Sequence, residues 1–307
     1  MPIGFYVFAV LAVFLTSFFG SVCNMYLFYT FATQNIKGNG FRKLCLVKTV
    51  SNCIICFSFL FWVFPVTSLS QVYSDLNYVL NRSIGVLSTS WAYLLNSLLQ
   101  VCLSCNRCYA LYFPFGVKKI RHISLTKWAI TLSIIVISVF SAITIPEGCG
   151  YVYDPNYFLW RPEESECALL IVVLVPRFIY GTTITTNSFN IATAARLVMY
   201  KMGGMSKEDS KKRRKRWMVA FTQSVIQDCL QCADIINSYY LWKLNAAAWF
   251  QFLFVTLSFI MVTALDGLVM FICNVDIHPK WLKNVLGKQE SKRIFVATVV
   301  ENNSSVK

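Results

Sequence analysis

Charge is scarce in this chain. Only 14% of its residues are Asp, Glu, Lys or Arg, whereas 56% are hydrophobic and 16% aromatic. A water-soluble fold needs a more heavily charged surface, so that class is excluded and the solvent to reason with is a lipid bilayer. Histidine is scarcer still. The two residues, His122 and His278, are expected at the inner face without a nucleophile or metal cluster around them. No enzyme chemistry, cofactor or metal is therefore expected. Acidic residues number 14 against 28 basic ones, for a net charge of +14. No internal repeat and no boundary between globular domains is visible, so residues 1–307 are read as one domain.

Apolar sequence fills the chain instead. Windows of about 19 residues nearly free of charge mark membrane helices. Seven are found: Ile3–Ala32, Leu44–Val66, Ile84–Phe113, Trp128–Ile145, Ala168–Tyr200, Trp217–Leu241 and Ala248–Asn274, followed by a polar tail, 275–307. The first lacks a basic leader and is read as an uncleaved helix. The predicted fold is an all-α seven-transmembrane helix bundle.

Basic residues set its orientation. Lys37, Arg42 and Lys43, then Lys118, Lys119, Arg121 and Lys127, then Lys207 to Arg216, then Lys280, Lys283, Lys288, Lys292 and Arg293 all fall on one side. The other side has only Arg82, Arg161 and Lys243 among several acids. The N-terminus is expected outside and the C-terminus inside. The run "KKRRKR" lies between two membrane helices, so it is not read as a nucleic-acid footprint. In the tail, "DIHPKWLKNVL" reads either as a short amphipathic helix on the membrane lipid or as a disordered basic segment.

Of twelve cysteines, Cys149 and Cys167 fall in an outer loop, where disulfides form, and are expected to pair. "CIIC" and "CLQC" have zinc-like spacing but sit mid-helix, where packing is the simpler reading. Asn81, in "NRS" of the first outer loop, is an acceptor for an N-glycan.

Polar residues inside the helices are the next signal, because each is costly in lipid. A 3.6-residue period places Thr89, Tyr93, Asn96, Gln100 and Arg107 on one face of the third helix. That face reads either as an internal cavity or as interhelical glue. Gln223, Gln227, Gln231 and Asp234 form a stripe on the sixth helix with Asp228 beside it. Asn24, Lys48, Asn52 and Asp266 fall in the inner halves of their helices. A contact from Lys48 or Asn52 to Asp266 would satisfy the acid, unless Lys48 snorkels to the headgroups. Pro65, Pro114 and Pro176 are expected to bend or stop their helices. Arg177 either snorkels outward or binds an anion. Thr89, Tyr93, Asn96, Arg177, Tyr180, Asp234 and Asn237 are the expected ligand pocket. The runner-up function is a seven-helix channel or transporter using Asp228, Asp234 and Asp266, but no inverted repeat supports it.

The segments "NRCYALYFPF", "FTQSVIQDCL" after "KKRRKRW", and "ALDGLVMFICN" resemble the nematode serpentine receptor class x chemoreceptors, within the rhodopsin-like G-protein-coupled receptors. The resemblance spans all seven helices. It implies a plasma-membrane receptor, with a sensory cilium as one destination, that binds a small external chemical and activates a heterotrimeric G protein. It places Asn106, Arg107 and Cys108 where the superfamily has an acidic-Arg-aromatic triplet. Asp266 then falls in the seventh-helix switch region; together with Asn24, Lys48, Asn52 and Asp228 it reads as a switch network or as only a structural staple. Coupling is expected through that triplet and through Lys211, Lys212, Arg213, Arg214, Lys215 and Arg216. Two departures stand out: Asn106 carries no charge, and "LDGLVMF" lacks the usual proline and tyrosine. Arg107 is therefore expected to be held by neutral hydrogen bonds at rest.

Overall fold

The structure, a computed structural model, describes residues 3–33, 40–69, 76–113, 122–199, 207–274 and 277–279, with all their side chains except those of 122–124 and 207–216. Among these residues, seven long helices form a bundle: α1 (Ile3–Thr33), α2 (Gly40–Ser68), α3 (Tyr78–Tyr112), α4 (His122–Ala142), α5 (Glu166–Met199), α6 (Lys207–Tyr239) and α7 (Ala248–Cys273). Six of them, all but α6, are long and apolar enough to cross a membrane. Helix α6 falls short because Gln223, Gln227, Asp228, Gln231 and Asp234 interrupt its apolar stretch.

Several helices run past their apolar windows. Helix α3 starts at Tyr78, before Ile84, because the Asn77 side chain caps it by accepting the Leu80 N–H at 3.0 Å. Helix α6 begins within the basic run at Lys207. Helix α4 stops at Ala142, short of Ile145. Pro176 does not stop α5, which continues for 34 residues through it. Pro114, the segment after Pro279, and the side chains of Lys211 to Arg216 lie outside the described residues.

The helices divide into central and peripheral ones. In α2, 61% of the most apolar window is buried inside the protein, and 50% in α3 and α7, against 22% in α1 and α4. Accordingly α1 exposes Leu11, Leu15, Phe18 and Phe19, as a lipid-facing helix should. Its other face fits closely. A Cβ on Gly20 would lie 2.7 Å from Cys56 Sγ and 3.0 Å from Ala264 Cβ, so this glycine lets α1, α2 and α7 meet. Cys56 of "CIIC" is thus a packing residue.

Between α4 and α5 the chain forms a hairpin of β1 (Tyr151–Asp154) antiparallel to β2 (Leu159–Pro162), with Tyr151 opposite Pro162. Its buried residues are consecutive, Val152 to Asp154 and Phe158 to Trp160, and fold back into the bundle. Tyr153, Phe158 and Trp160 join a buried cluster with Ala9, Val13, Phe59 and Phe252. Burying each such ring contributes about 1.5–3 kcal/mol. The tip residue Phe158 has φ 58, a left-handed conformation rare for a bulky residue. Its ring packs edge-on against Phe5 and Phe252, and its carbonyl accepts from Thr256 Oγ1 at 2.5 Å. Those contacts hold the tip in place.

The hairpin is pinned in three further ways. Cys149 and Cys167 form a disulfide across 18 residues, as expected from the sequence. Gly85 of α3 lies so close that a Cβ there would sit 2.0 Å from the Tyr151 carbonyl oxygen. Asn81 accepts the Tyr153 N–H at 3.1 Å and the Trp62 indole N–H at 3.0 Å, and donates to the Tyr153 carbonyl at 3.0 Å. Asn81 is 1% exposed. The glycan expected there has no room in this fold, and the amide nitrogen that would carry it is engaged by the hairpin.

Candidate functional site

The polar residues of the helix interiors come together as one connected network. Lys48 Nζ of α2 donates to Asp266 Oδ1 of α7 at 2.7 Å and to Gln100 Oε1 of α3 at 2.6 Å. Asn52, one turn along α2, donates to Asp266 Oδ2 at 2.8 Å and to Asn24 Oδ1 of α1 at 3.2 Å. Gln227 of α6 adds a third donor to Asp266 at 2.9 Å. Asp228, the next residue of α6, accepts from Gln100 Nε2 at 2.7 Å and from Asn190 Nδ2 of α5. Six of the seven helices thus contribute a side chain, and both carboxylates are matched by donors. Such matching is what permits buried charge in a low-dielectric interior. Gly267 makes room for it, since a Cβ there would meet the Asn24 side-chain amide at 2.6 Å.

Arg107 is the opposite case. It is 4% exposed, and none of its three guanidinium nitrogens has a hydrogen-bond partner among the described residues. Among the described residues the guanidinium lies over the Phe41 ring, its carbon 5.0 Å from the ring centroid. The neutral hydrogen bonds expected from the sequence are therefore replaced by a cation–π contact. That contact is worth about 2 kcal/mol or somewhat more when desolvated, less than the several kcal/mol it costs to desolvate an ion. The guanidinium is left as five donors awaiting acceptors. Asn106 and Cys108 flank it, half-buried.

At the hairpin end the bundle bounds a partly open cavity of about 120 Å³ lined by Thr89, Tyr93, Tyr151, Trp160, Val175, Asp234, Ser238, Tyr239, Val255, Thr256 and Phe259. Three π-helical turns, Phe59–Val63, Val86–Ala92 and Phe252–Leu257, lie at this end. Two of them supply lining residues, consistent with the tendency of such turns to mark functional positions. Asp234 is 1% exposed. Its Oδ2 accepts from Tyr93 OH at 2.7 Å and its Oδ1 from Ser258 Oγ at 2.9 Å. No cation pairs with it among the described residues.

The hairpin roofs this cavity, and a charge cluster holds the roof. Arg82 Nε donates to Glu163 Oε2 at 3.1 Å, and its terminal nitrogen donates to the carbonyls of Thr144, Ile145 and Pro146 in the turn after α4. Burial alone would raise the Glu163 pKa. The hydrogen bonds from Tyr78, the Gly150 N–H and Arg82 outweigh it and hold the carboxyl below the usual range. Burial pushes the Tyr151 phenol up to about 12, so it stays neutral.

The residues grouped from the sequence as a ligand pocket fall in three places. Thr89, Tyr93 and Asp234 line the cavity, and Asn237 stands behind it, donating to Ser258 at 3.0 Å. Asn96 turns to the network and donates to Asn52 at 2.9 Å. Tyr180 bonds Tyr240 at 3.0 Å, and Arg177 is exposed on α5. Sequence reasoning did not single out Asn190, Phe41 or the wall residues Tyr151, Trp160, Tyr239 and Phe259 of the cavity. An asparagine in the apolar run of α5 was signal enough for the first. The wall residues carry no such mark.

Comparison with known proteins agrees with this architecture. The family model described as serpentine type 7TM GPCR chemoreceptor Srx matches residues 14–274. Serpentine receptor class X 45 of Caenorhabditis elegans is 22% identical over 290 residues, covering 87% of this chain and 78% of that protein. With that family match spanning α1 to α7, the chain belongs to the Srx family of seven-transmembrane, G-protein-coupled chemoreceptors.

Proposed function

We propose that this protein is a plasma-membrane chemosensory receptor. In this reading the hairpin end faces outward and binds a small chemical in the cavity at Asp234, Tyr93 and Thr89. The Arg107 end faces the cytoplasm and couples to a heterotrimeric G protein. The observation that carries it is the buried guanidinium of Arg107 without a hydrogen-bond partner. When α6 moves outward, a cleft between Arg107 and the basic run Lys211 to Arg216 would admit a G-protein helix, whose terminal carbonyls or carboxylate complete the guanidinium.

The network through Asn24, Lys48, Asn52, Asp228 and Asp266 supports this reading, because it ties α6 to α2, α3, α5 and α7 between the two ends. A change at Asp234 is passed along the same helix to Asp228, six residues away and within two turns. Receptor purified in lipid nanodiscs should capture a nucleotide-free heterotrimeric G protein and release it on addition of a non-hydrolysable GTP analogue. Absence of nucleotide-sensitive capture across the G-protein classes, together with ion currents in vesicles containing only this protein, would overturn it.

A further inference from the structure

The cavity at the hairpin end has a definite chemistry. Its single ionisable carboxylate is Asp234, buried and without a counter-ion among the described residues. Around it stand five aromatic side chains, Tyr93, Tyr151, Trp160, Tyr239 and Phe259. Two of them are locked edge-to-face, with the Tyr93 and Phe259 centroids 5.0 Å apart, and Trp160 packs at 5.5 Å against Tyr153. The other carboxylates of the interior differ. Asp266 holds Lys48 and two amides, and Asp228 is matched by two amides. Asp234 alone among these three both lines a cavity and lacks an ammonium or an amide donor of its own.

A carboxylate surrounded by aromatic rings recognises a cation. The rings present negative quadrupole faces or polarisable walls, and the carboxylate supplies the charge, so an ammonium ion is stabilised by both. The Tyr93, Ser258 and Ser238 hydroxyls on Asp234 take three of the about four sites that an ionised carboxylate offers. One site for an N–H of an ammonium therefore remains. Size sets the second constraint. A 150 Å³ apolar cavity takes benzene, so about 120 Å³ takes a ligand of only a few heavy atoms. The Trp160 indole N–H, buried without an acceptor, suits an amine that also carries an oxygen.

We propose that the ligand class of this receptor is small alkylammonium ions, seated with the nitrogen on Asp234 and the carbon atoms among Tyr93, Tyr151, Trp160, Tyr239 and Phe259. This rests on the reading of the cavity as the ligand site and names the chemistry it selects. An anion is disfavoured by Asp234, and a neutral molecule leaves the carboxylate unpaired.

The test is direct binding to the purified full-length receptor in nanodiscs, with no G protein present. The thermal unfolding midpoint is followed against isopropylammonium, 2-aminoethanol, 2-propanol and acetate at constant ionic strength. The two amines should raise the midpoint in a concentration-dependent way, while 2-propanol and acetate leave it in place. Asp234→Asn should weaken the amine effect at least tenfold. Tyr151→Leu, which keeps the acid and removes one ring, should weaken it several-fold and covers the case in which the first variant does not fold. Equal or larger shifts with 2-propanol, which a protonated Asp234 would give, would overturn the assignment. So would an unchanged amine effect in either variant, or no amine effect at all. Because G protein is absent, these results are separate from the coupling assay. Nucleotide-sensitive capture without amine binding would remove the ligand class and leave the receptor reading standing.

Discussion

The two ends of this bundle treat buried charge differently. At the hairpin end and through the middle, the acids named above meet donors: half-buried Glu163 has three, and buried Asp266 has three, Asp228 two and Asp234 the hydroxyls of Tyr93 and Ser258. At the other end, Arg107 is buried as deeply as Asp228 and Asp266, yet among the described residues it has no hydrogen-bond acceptor and lies over the face of Phe41. Matched polar groups specify one arrangement of the helices. An unmatched ion makes that arrangement conditional, because any state that brings acceptors to it is favoured. On the proposed reading, the matched groups tie the helices together and carry the change, while the unmatched one waits for the partner that completes it.

The largest effect should come from unbalancing the matched part. Lys48→Met leaves Asp266 buried without its ammonium, and breaking such a pair costs about 3–5 kcal/mol. Folded receptor recovered in mild detergent should drop sharply. Lys48→Met combined with Asp266→Asn should restore most of it, since the pair is then removed without leaving a lone charge.

The disulfide comes next. Closing a loop of this length is worth about 3 kcal/mol in the chain-entropy model. Reducing the wild-type protein should lower its unfolding midpoint, and the Cys149→Ser, Cys167→Ser double variant should start lower and ignore the reductant. A double variant as stable as wild type would show that the hairpin is held by its buried rings alone.

The smallest effect concerns Glu163. Its folded pKa is depressed, so its contribution is fully present above the unfolded value of about 4.3 and is lost as pH falls through the lower folded value. Backbone amides of Tyr151–Asp154 should therefore exchange faster at pH 3 than protection at pH 7 predicts after correction for intrinsic rates. Glu163→Gln should remove that pH dependence.

Much of this was legible in the sequence. Apolar windows marked all seven helices, because a membrane span must be long and nearly free of charge. The shared face of Lys48 and Asn52 and the cost of a lone acid in lipid made a contact from either to Asp266 one of two open readings, beside a snorkelling Lys48, and both contacts form. Periodicity gives the face of a helix but not the neighbour across it. Asn96 therefore joined the network although its face also served the cavity, and Asn190 passed unnoticed. The hairpin was illegible for a different reason. Its strands are four residues each and are not buried at alternate positions, so no alternation registers, and neither its roof over Asp234 nor its capture of Asn81 could be anticipated. Nor could the sequence show that Arg107 would be left without hydrogen bonds, since that depends on what every neighbouring helix fails to present.

The central claim is that this unmatched guanidinium is completed by the G protein. The most direct measurement is the nucleotide-free capture of a heterotrimeric G protein by receptor in nanodiscs, comparing wild type with Arg107→Lys. The substitution keeps the charge and removes the planar fork of donors. The account predicts at least tenfold weaker capture, with the unfolding midpoint and the shift produced by isopropylammonium unchanged. Wild-type capture by a folded Arg107→Lys receptor would contradict it.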